Sequence, residues 1–186
     1  MFGNYKKLEK RIAELEKRNV VPEKKTLKFV NKSPNPDPYY AKAGDSGFDF
    51  RAWVDENTEG VQFDDADVKG PFVEIGPNEI KLIHTGLYFD IPDYCEIQVR
   101  PRSGYALKVG ISVNNSPGTC DAGYINEVGI ICINPTKRPV RIHNDDKIAQ
   151  GVLCPVYGET LTNLEKVSKI DKVTERGNDG FGSTGM

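Results

Sequence analysis

Short apolar runs separated by turn-forming residues fill the chain from Thr26 onward. The runs are rich in β-branched and aromatic residues, and Pro, Gly, Asn and Asp interrupt them in segments such as SPNPDP, IGPNE and NNSPG. Residues of the first kind favour strands and those of the second kind favour turns. The predicted strands are TLKFVN, FVEI, IKLIHTGLYFDI, CEIQVRP, EVGIICIN and VRIH. Many short strands without a long helix among them predict an all-β sandwich, jelly roll or barrel.

The N-terminal segment has a different period. Tyr5, Leu8, Ile12 and Leu15 recur at spacings of three and four residues among Lys, Arg and Glu. This pattern predicts a short amphipathic helix. Because so short a helix is marginal in water by itself, we expect it either to dock on the body of the protein or to form a small coiled coil with other copies.

Changes in composition divide the chain into three parts. Residues 1–25 hold the helix and a linker, residues 26–162 hold the predicted strands, and residues 163–186 form a polar C-terminal arm with many glycines near its end. Within the middle part, residues 55–70 are acidic and poor in apolar anchors, which predicts a surface loop between two strands.

Composition excludes several classes of function. The 186 residues carry 25 Lys and Arg against 27 Asp and Glu, so no global basic field would hold nucleic acid. No apolar stretch reaches the roughly 20 residues that cross a bilayer, and the charged N-terminus is no signal peptide. The four cysteines are widely spaced, which argues against zinc. Three of them lie in apolar runs, at Cys95, Cys132 and Cys154, so we expect reduced thiols and a cytoplasmic protein.

Five stretches are too polar and too rich in glycine for the strands around them. In AGDSGFDFRA, Asp49 is either a turn-capping residue or a functional carboxylate. In RPRSGYA, a guanidinium, a hydroxyl and an accessible amide come together at Arg102, Ser103 and Gly104. These are the donors that an anionic oxygen requires, although a surface salt bridge explains the stretch equally well.

The third and fourth stretches contain a candidate general base and a polar residue within a predicted strand. VNNSPGTCDAGYINEVGI predicts a hairpin with Asp121 at its tip and a return strand that begins beside Tyr124. The backbone of such a hairpin can pair with a flat heterocycle, and a carboxylate at its mouth can act as a general base toward water. In NDDKIAQGVL, Gln150 stands among apolar neighbours, so its amide must find hydrogen-bond partners.

The fifth stretch, RGNDGFGSTG, closes the chain. It is no Walker loop, because G-x-x-x-x-G-K-[ST] is absent. Its glycine amides and hydroxyls, with Arg176, are nevertheless suited to wrap a triphosphate, and Phe181 is suited to stack on a base.

The five stretches together, in this order, resemble the motifs of the homotrimeric deoxyuridine triphosphate nucleotidohydrolases (dUTPases). AGDSGFDF, RPRSGYA, NNSPGTCDAGY with Glu127, DKIAQ and RGNDGFGSTG carry the resemblance, which spans roughly residues 26–185. It implies a jelly-roll-like β-barrel and a homotrimer with three shared active sites. The implied reaction is the hydrolysis of dUTP to dUMP and pyrophosphate by attack of water on the α-phosphorus, which limits uracil in DNA and supplies dUMP for dTMP synthesis.

The resemblance also implies roles for individual residues. Asp121 resembles the carboxylate that activates the water, Gln150 the amide that holds phosphate or that water, and Asp49 the acid that supports the water shell of Mg²⁺. The ion itself would be held by the substrate phosphates and water, with no direct protein ligand. The implied substrate-binding residues are Arg102, Ser103, Gly104, Asn115, Thr119, Cys120, Asp121, Tyr124, Gly129, Arg176, Phe181, Gly182, Ser183 and Thr184.

The chain departs from the family pattern in two places. Ile125 and Asn126 stand where Arg-Gly is usual, and residues 145–147, Asp-Asp-Lys, stand where Gly-Asp-Arg is usual. Two other functions stay open, a dCTP deaminase of the same fold and a non-catalytic binding module. Tyr124, Asp121 and the complete fifth motif favour hydrolysis. The expected location is the cytoplasm, or the host cytoplasm for a viral protein.

Overall fold

A computed structural model of the protein describes residues 24–63, 70–175 and 177. The predicted N-terminal helix lies outside the described residues, as do Arg176 and residues 181–184 of the fifth motif. The chain divides into two compact units, Met1–Val156 and Tyr157–Met186. The boundaries predicted at residues 25 and 162 stay predictions.

Nearly all regular structure in the described residues is β. The one helix described there, α1, spans Ser103–Lys108 and was not predicted. The strands in chain order are β1 Lys28–Asn31, β2 Phe48–Arg51, β3 Val61–Phe63, β4 Pro71–Ile75, β5 Ile80–Ile83, β6 Leu87–Asp90, β7 Cys95–Pro101, β8 Ser112–Val113, β9 Gly118–Asp121, β10 Ile130–Ile133, β11 Val140–His143 and β12 Lys147–Pro155. The prediction of an all-β body is confirmed.

The strands form four small antiparallel sheets around one core. The largest has the order β2-β12-β7-β9, and the others are β5-β10-β8, β11-β4-β3 and the pair β1-β6. Most neighbours in these sheets are far apart in sequence, as β2 and β12 are. The two-stranded sheet would be at best marginally stable by itself, and strands of all four sheets contribute side chains to one core.

Alternation along the strands separates the core from the surface. In β7, Ile97 and Val99 point inward and are buried, whereas Gln98 and Arg100 point outward and are half-buried, as the two-residue period of a strand requires. Three aromatic rings, those of Phe48, Phe50 and Phe89, pack against one another in the core. Their centroids are 5.4 Å apart for Phe48 and Phe50, 5.6 Å for Phe48 and Phe89, and 6.0 Å for Phe50 and Phe89.

Two predicted elements differ from the structure. The run IKLIHTGLYFDI forms two strands, β5 and β6, because the chain turns at Gly86 with a φ of +69°. A Cβ there would lie 2.7 Å from the Ser33 nitrogen, so only glycine fits the turn. The acidic stretch 55–70 is not entirely loop, since Val61–Phe63 forms β3 and pairs with β4.

The burial of the cysteine side chains depends on which face of its strand each one occupies, more than on the hydrophobicity of its neighbours in the sequence. All four are free thiols. Cys95 and Cys132 are buried as predicted, but Cys120 is buried too, whereas Cys154 is only half-buried. Cys120 points inward from β9, and Cys154 lies 3.6 Å from Arg100 Nη2 on the outer face of the sheet.

The second unit has no strand or helix among its described residues. A turn at its start is closed by the Gly158 carbonyl, which accepts hydrogen bonds from the Leu161 and Thr162 amides at 3.0 and 2.9 Å. Leu164, Ile170 and Val173 are exposed. In the described part of the chain, no helix is long and apolar enough to span a membrane.

Gly151 gives a direct test of the core packing. A Cβ at this position of β12 would lie 2.6 Å from the Phe48 ring and 2.8 Å from the Phe50 ring. We expect Gly151→Ala to lower the free energy of unfolding by about 1–3 kcal/mol, because overpacking strains a close-packed core. Urea denaturation measures the change. Gly158→Ala is the control, since a Cβ there meets nothing within 4 Å; equal stability of the two variants would contradict the packing described.

Candidate active site

A cleft of about 370 Å³ opens at the edge of the four-stranded sheet. It is lined by three stretches that are distant in sequence: the loop and strand from Tyr39 to Asp49, the segment Arg102–Gly104 at the start of α1, and Lys147 with Gln150. Three of the five predicted stretches therefore meet in one place.

Strand register explains why these stretches meet. Gln150 on β12 lies opposite Asp49 on β2 and opposite Arg100 on β7. Arg102 follows the last residue of β7 and is the extended residue from which α1 starts. The pairing places the side chains of Asp49 and Gln150 on the same face of the sheet, because directly opposed residues share a face.

Asp49 lies between two cations. Arg102 Nε is 2.6 Å from one carboxylate oxygen, and Lys147 Nζ is 2.8 Å from the other. Arg102 Nη1 also donates to the Lys147 carbonyl at 2.9 Å. The trio carries one more positive charge than negative, and its guanidinium is held in a fixed orientation. Such a cluster is suited to bind an anion such as phosphate.

Gln150 is held in the same cleft. Its Nε2 donates to the Pro101 carbonyl at 2.9 Å, so the amide has the hydrogen-bond partner that its position in the strand requires. A Cβ at residue 47 would lie 3.0 Å from Gln150 Oε1. Gly47, two residues before Asp49, therefore keeps space beside the amide oxygen, a reason for this glycine that the sequence did not reveal.

The fourth stretch contains a site residue that sequence reasoning noted only as a departure from the family pattern. Lys147 lines the cleft and contacts Asp49. Its two acidic neighbours have structural contacts: Asp145 Oδ1 is 2.6 Å from Arg51 Nη1, and Asp146 Oδ2 accepts a hydrogen bond from the His143 amide at 2.9 Å. The sequence did contain a signal for this site residue, because Lys147 keeps a positive charge at the position where the family usually has arginine.

The third stretch forms a hairpin only at its outer ends, where β8 and β10 pair antiparallel and the Asn114 amide donates to the Ile131 carbonyl at 2.8 Å. β9 pairs with β7, whereas β10 pairs with β5 and β8. The segment between them thus crosses from one sheet to another instead of folding back on itself. The predicted tip is nevertheless a turn, because the Tyr124 amide donates to the Asp121 carbonyl at 3.0 Å. The strands next to the tip, β9 and β10, do not pair with each other, because local turn signals do not determine which strand a segment joins.

Asp121 lies far from the cleft within one chain. It is exposed at the end of β9, opposite Glu96 of β7. Glu96 and Pro101 are five residues apart on that strand, which at about 3.3 Å per residue separates them by about 17 Å. Arg102 follows Pro101, so a single chain does not bring the proposed base and the anion-binding cluster together.

The other predicted residues of the third stretch precede and follow Asp121 along the chain. Asn115 is in the exposed turn before β9, Thr119 points outward, and Gly129 precedes β10. Cys120 points into the core, where burial first, and then the nearby Asp121 and Glu96, raise the pKa of its thiol to about 11. Only the backbone of Cys120 is therefore suited to meet a ligand.

Glu127 anchors this stretch to the β5–β6 turn. Its Oε1 accepts hydrogen bonds from the Thr85 and Gly86 amides at 3.0 and 2.8 Å, and its Oε2 lies 3.0 Å from His84 Nδ1. Burial alone would raise the pKa of Glu127, but these hydrogen bonds outweigh burial and lower it below its ordinary value. Glu127 was part of the sequence pattern but had no assigned role.

Comparison with known proteins identifies the family. The dUTPase family model matches residues 72–185. The deoxyuridine 5'-triphosphate nucleotidohydrolase of Bdellovibrio bacteriovorus is 44% identical over 148 residues, which cover 80% of this chain and 87% of that protein. The chain belongs to the dUTPase family.

Solved dUTPases have the same fold. The dUTPase of Staphylococcus bacteriophage 80alpha, determined with dUPNHPP, matches with a TM-score of 0.71 and 23% identity over 88% of this dUTPase-family chain and all of that chain. A mutant dUTPase from phage phi11 of S. aureus, described with a structural Mg(II) ion, matches with a TM-score of 0.63 and 21% identity over 80% of this chain and all of that chain. The predicted jelly-roll fold is confirmed.

The contacts of Glu127 predict a pH dependence of stability for this dUTPase-family chain. Because folding lowers the pKa of Glu127 from its ordinary 4.5, the carboxylate stabilises the folded state above about pH 4.5, and this contribution is lost as the pH falls through the lowered value. We expect Glu127→Gln to cost about 1–3 kcal/mol at pH 7 and progressively less below pH 4.5. Urea titrations at one protein concentration measure both values; a cost that is constant down to pH 3 would contradict the prediction.

Proposed function

We propose that this chain hydrolyses dUTP to dUMP and pyrophosphate by attack of water on the α-phosphorus. The observation that carries the proposal is the cleft in which Arg102 and Lys147 hold Asp49 between them, beside Ser103, Gly104 and Gln150. Phosphoryl transfer requires positioning and charge neutralisation more than a covalent nucleophile. The cleft supplies cations, a hydroxyl, an amide side chain and backbone donors, which match that requirement.

Arg102, Ser103 and Gly104 would bind the phosphates. Ser103 and Gly104 are exposed, and the Arg102 guanidinium is oriented by Asp49 and the Lys147 carbonyl. Gln150 would hold a phosphate oxygen or the attacking water. Lys147 adds a second positive charge where the developing charge of the transition state needs compensation.

The third stretch would bind the nucleoside. The backbone around Asn115, Thr119, Cys120 and Gly129 would pair with uracil and leave no space for the methyl group of thymine. Tyr124, which is exposed beside Asp121, would lie under the deoxyribose and exclude a 2′-hydroxyl. Such exclusion needs a rigid segment, because a loosely fitting pocket discriminates a methyl group by only about 1–3 kcal/mol.

Asp121 would deprotonate the water, and the geometry favours its doing so in a neighbouring copy of the chain. The strand spacing of about 17 Å puts the base out of reach of a phosphate in the cleft of the same chain. A ring of copies, in which Asp121 of one protomer faces the cleft of the next, completes each site. We therefore propose a homotrimer with three shared active sites.

Mg²⁺ is the cofactor that fits this arrangement. The ion prefers oxygen ligands, keeps several waters and is commonly bound through substrate phosphates. Asp49, which lines the cleft, would contact its water shell through the carboxylate lone pairs that its two ion pairs leave free. In the described residues no three His, Cys, Asp or Glu side chains are grouped as a metal site requires. When bound with the triphosphate, Mg²⁺ would neutralise part of its charge.

The C-terminal arm would complete the proposed site. Arg176 would meet the γ-phosphate, Phe181 would cover the uracil, and Gly182, Ser183 and Thr184 would donate to phosphate oxygens. A free nucleotide as the substrate and four free thiols favour action in the cytoplasm, or in the host cytoplasm for a viral protein.

A product assay tests the proposed function. Purified protein with Mg²⁺ and dUTP should release pyrophosphate and dUMP, whereas dCTP should yield no ammonia. Ammonia from dCTP without pyrophosphate from dUTP would show a deaminase instead. Binding of dUTP without either product would show a non-catalytic module.

A further inference from the structure

Residues 122–129, which we name the crossing segment, connect β9 to β10 without being part of a strand. The segment leaves the four-stranded sheet after Asp121 and enters another sheet at Ile130. Ladder hydrogen bonds therefore do not fix its position. Other contacts must determine where Tyr124 lies relative to Asp121.

Those contacts converge on the turn between β5 and β6. Thr85 Oγ1 donates to the Val128 carbonyl at 2.6 Å, and the Val128 amide donates to the Leu87 carbonyl at 2.9 Å. The Glu127 carboxylate also accepts hydrogen bonds from the backbone amides of Thr85 and Gly86, and it contacts the His84 ring. The C-terminal half of the crossing segment is thus bound to one turn.

The turn is shaped to receive a carboxylate. The amides of Thr85 and Gly86 are consecutive and both point at Glu127 Oε1. Gly86 has a φ of +69°, and successive amides in such a conformation form a concave anion site. The side chain of Glu127 is only 21% exposed, so its hydrogen bonds compete little with water, and a charged acceptor makes them stronger than neutral ones.

The anchor continues to Tyr124 and Asp121. The Tyr124 hydroxyl donates to the Glu127 backbone carbonyl at 2.8 Å, and the Tyr124 amide donates to the Asp121 carbonyl at 3.0 Å. Tyr124 is therefore tied to Glu127 at the end of its ring and to Asp121 through its backbone. A shift of Glu127 moves the ring directly.

We propose that Glu127 is a positioning residue that sets the preference for deoxyribose over ribose by fixing the Tyr124 ring on the β5–β6 turn. The inference rests on the proposed function, in which Tyr124 excludes a 2′-hydroxyl. Glu127 does not touch the substrate in this account. It acts through the position of Tyr124, and secondarily through that of Asp121.

The test compares kcat/KM for dUTP with kcat/KM for UTP in Glu127→Ala, Glu127→Gln and wild-type protein. Displacement of a positioned group by about 1 Å costs on the order of 10²-fold, so we expect the dUTP-to-UTP ratio to fall about ten- to a hundredfold in Glu127→Ala. The dUTP-to-UTP ratio should fall less in Glu127→Gln, because the amide oxygen of the glutamine can still accept hydrogen bonds from the Thr85 and Gly86 amides. The ratio does not depend on the folded fraction of a preparation.

Glu79→Ala is the matched control. The Glu79 carboxylate also accepts a backbone amide, that of Gly76 at 2.6 Å, and pairs with Lys81 at 3.2 Å in another turn. Its loss should leave the ratio within about twofold of wild type, since residues without shared contacts rarely couple. An unchanged ratio in Glu127→Ala, or an equal fall in Glu79→Ala, would overturn the inference.

Two further results are distinguishable. If Glu127→Ala has no turnover, dissociation constants for dUMP and UMP supply the same ratio, with the same expected fall and the same contradicting result. If the wild-type protein does not hydrolyse dUTP, the proposed function fails, whatever the variants do.

Discussion

The ladder that β7 forms with β12 and β9 is the interaction on which the rest of the structure depends. β7 pairs with β12 from Cys95 to Pro101 and with β9 from Glu96 to Val99. Its inward side chains enter the core, and its outward side chains form the half-buried face beside the cleft. One end leads to Arg102, and the other end lies opposite Asp121. A rigid strand thus fixes the distance between two predicted parts of the site.

That distance links the fold to the assembly. A flexible loop between Arg102 and Asp121 would permit both to reach one phosphate, but a strand of fixed rise does not. The proposed chemistry would therefore use a second copy of the chain, and discrimination would depend on how firmly each chain holds its own contribution. Asp49 lies between Arg102 and Lys147 on the proposed phosphate side, and the β5–β6 turn binds Glu127 on the proposed nucleoside side.

The sequence predicted the positions of strands, which depend on interactions between residues close in the chain. The runs CEIQVRP and VRIH coincide with β7 and β11, because alternation and β-branched content act within a strand. Pairing between distant strands was not predictable, since Asp49 lies opposite Gln150 across about a hundred residues, and the pairing of β9 with β7 was missed for the same reason. The contacts of Glu127 were not predictable, because its partners are two backbone amides, which nearly every residue carries, and a histidine 43 residues away in the sequence. The meeting of three motif stretches in one cleft agrees with the resemblance. The roles of the individual residues stay predictions.

Subunit complementation tests most directly that each site is shared between copies. Asp121→Asn and Arg102→Ala chains, each nearly inactive alone, are co-expressed with different tags, and mixed oligomers are purified. If a site takes its base from one copy and its phosphate cluster from the neighbouring copy, the purified mixed trimers should show about a third of wild-type activity, because only one of the three neighbouring pairs in such a ring combines an intact Asp121 with an intact Arg102. Activity no greater than the sum of the two separate variants would show that one chain supplies both residues, and would contradict the account.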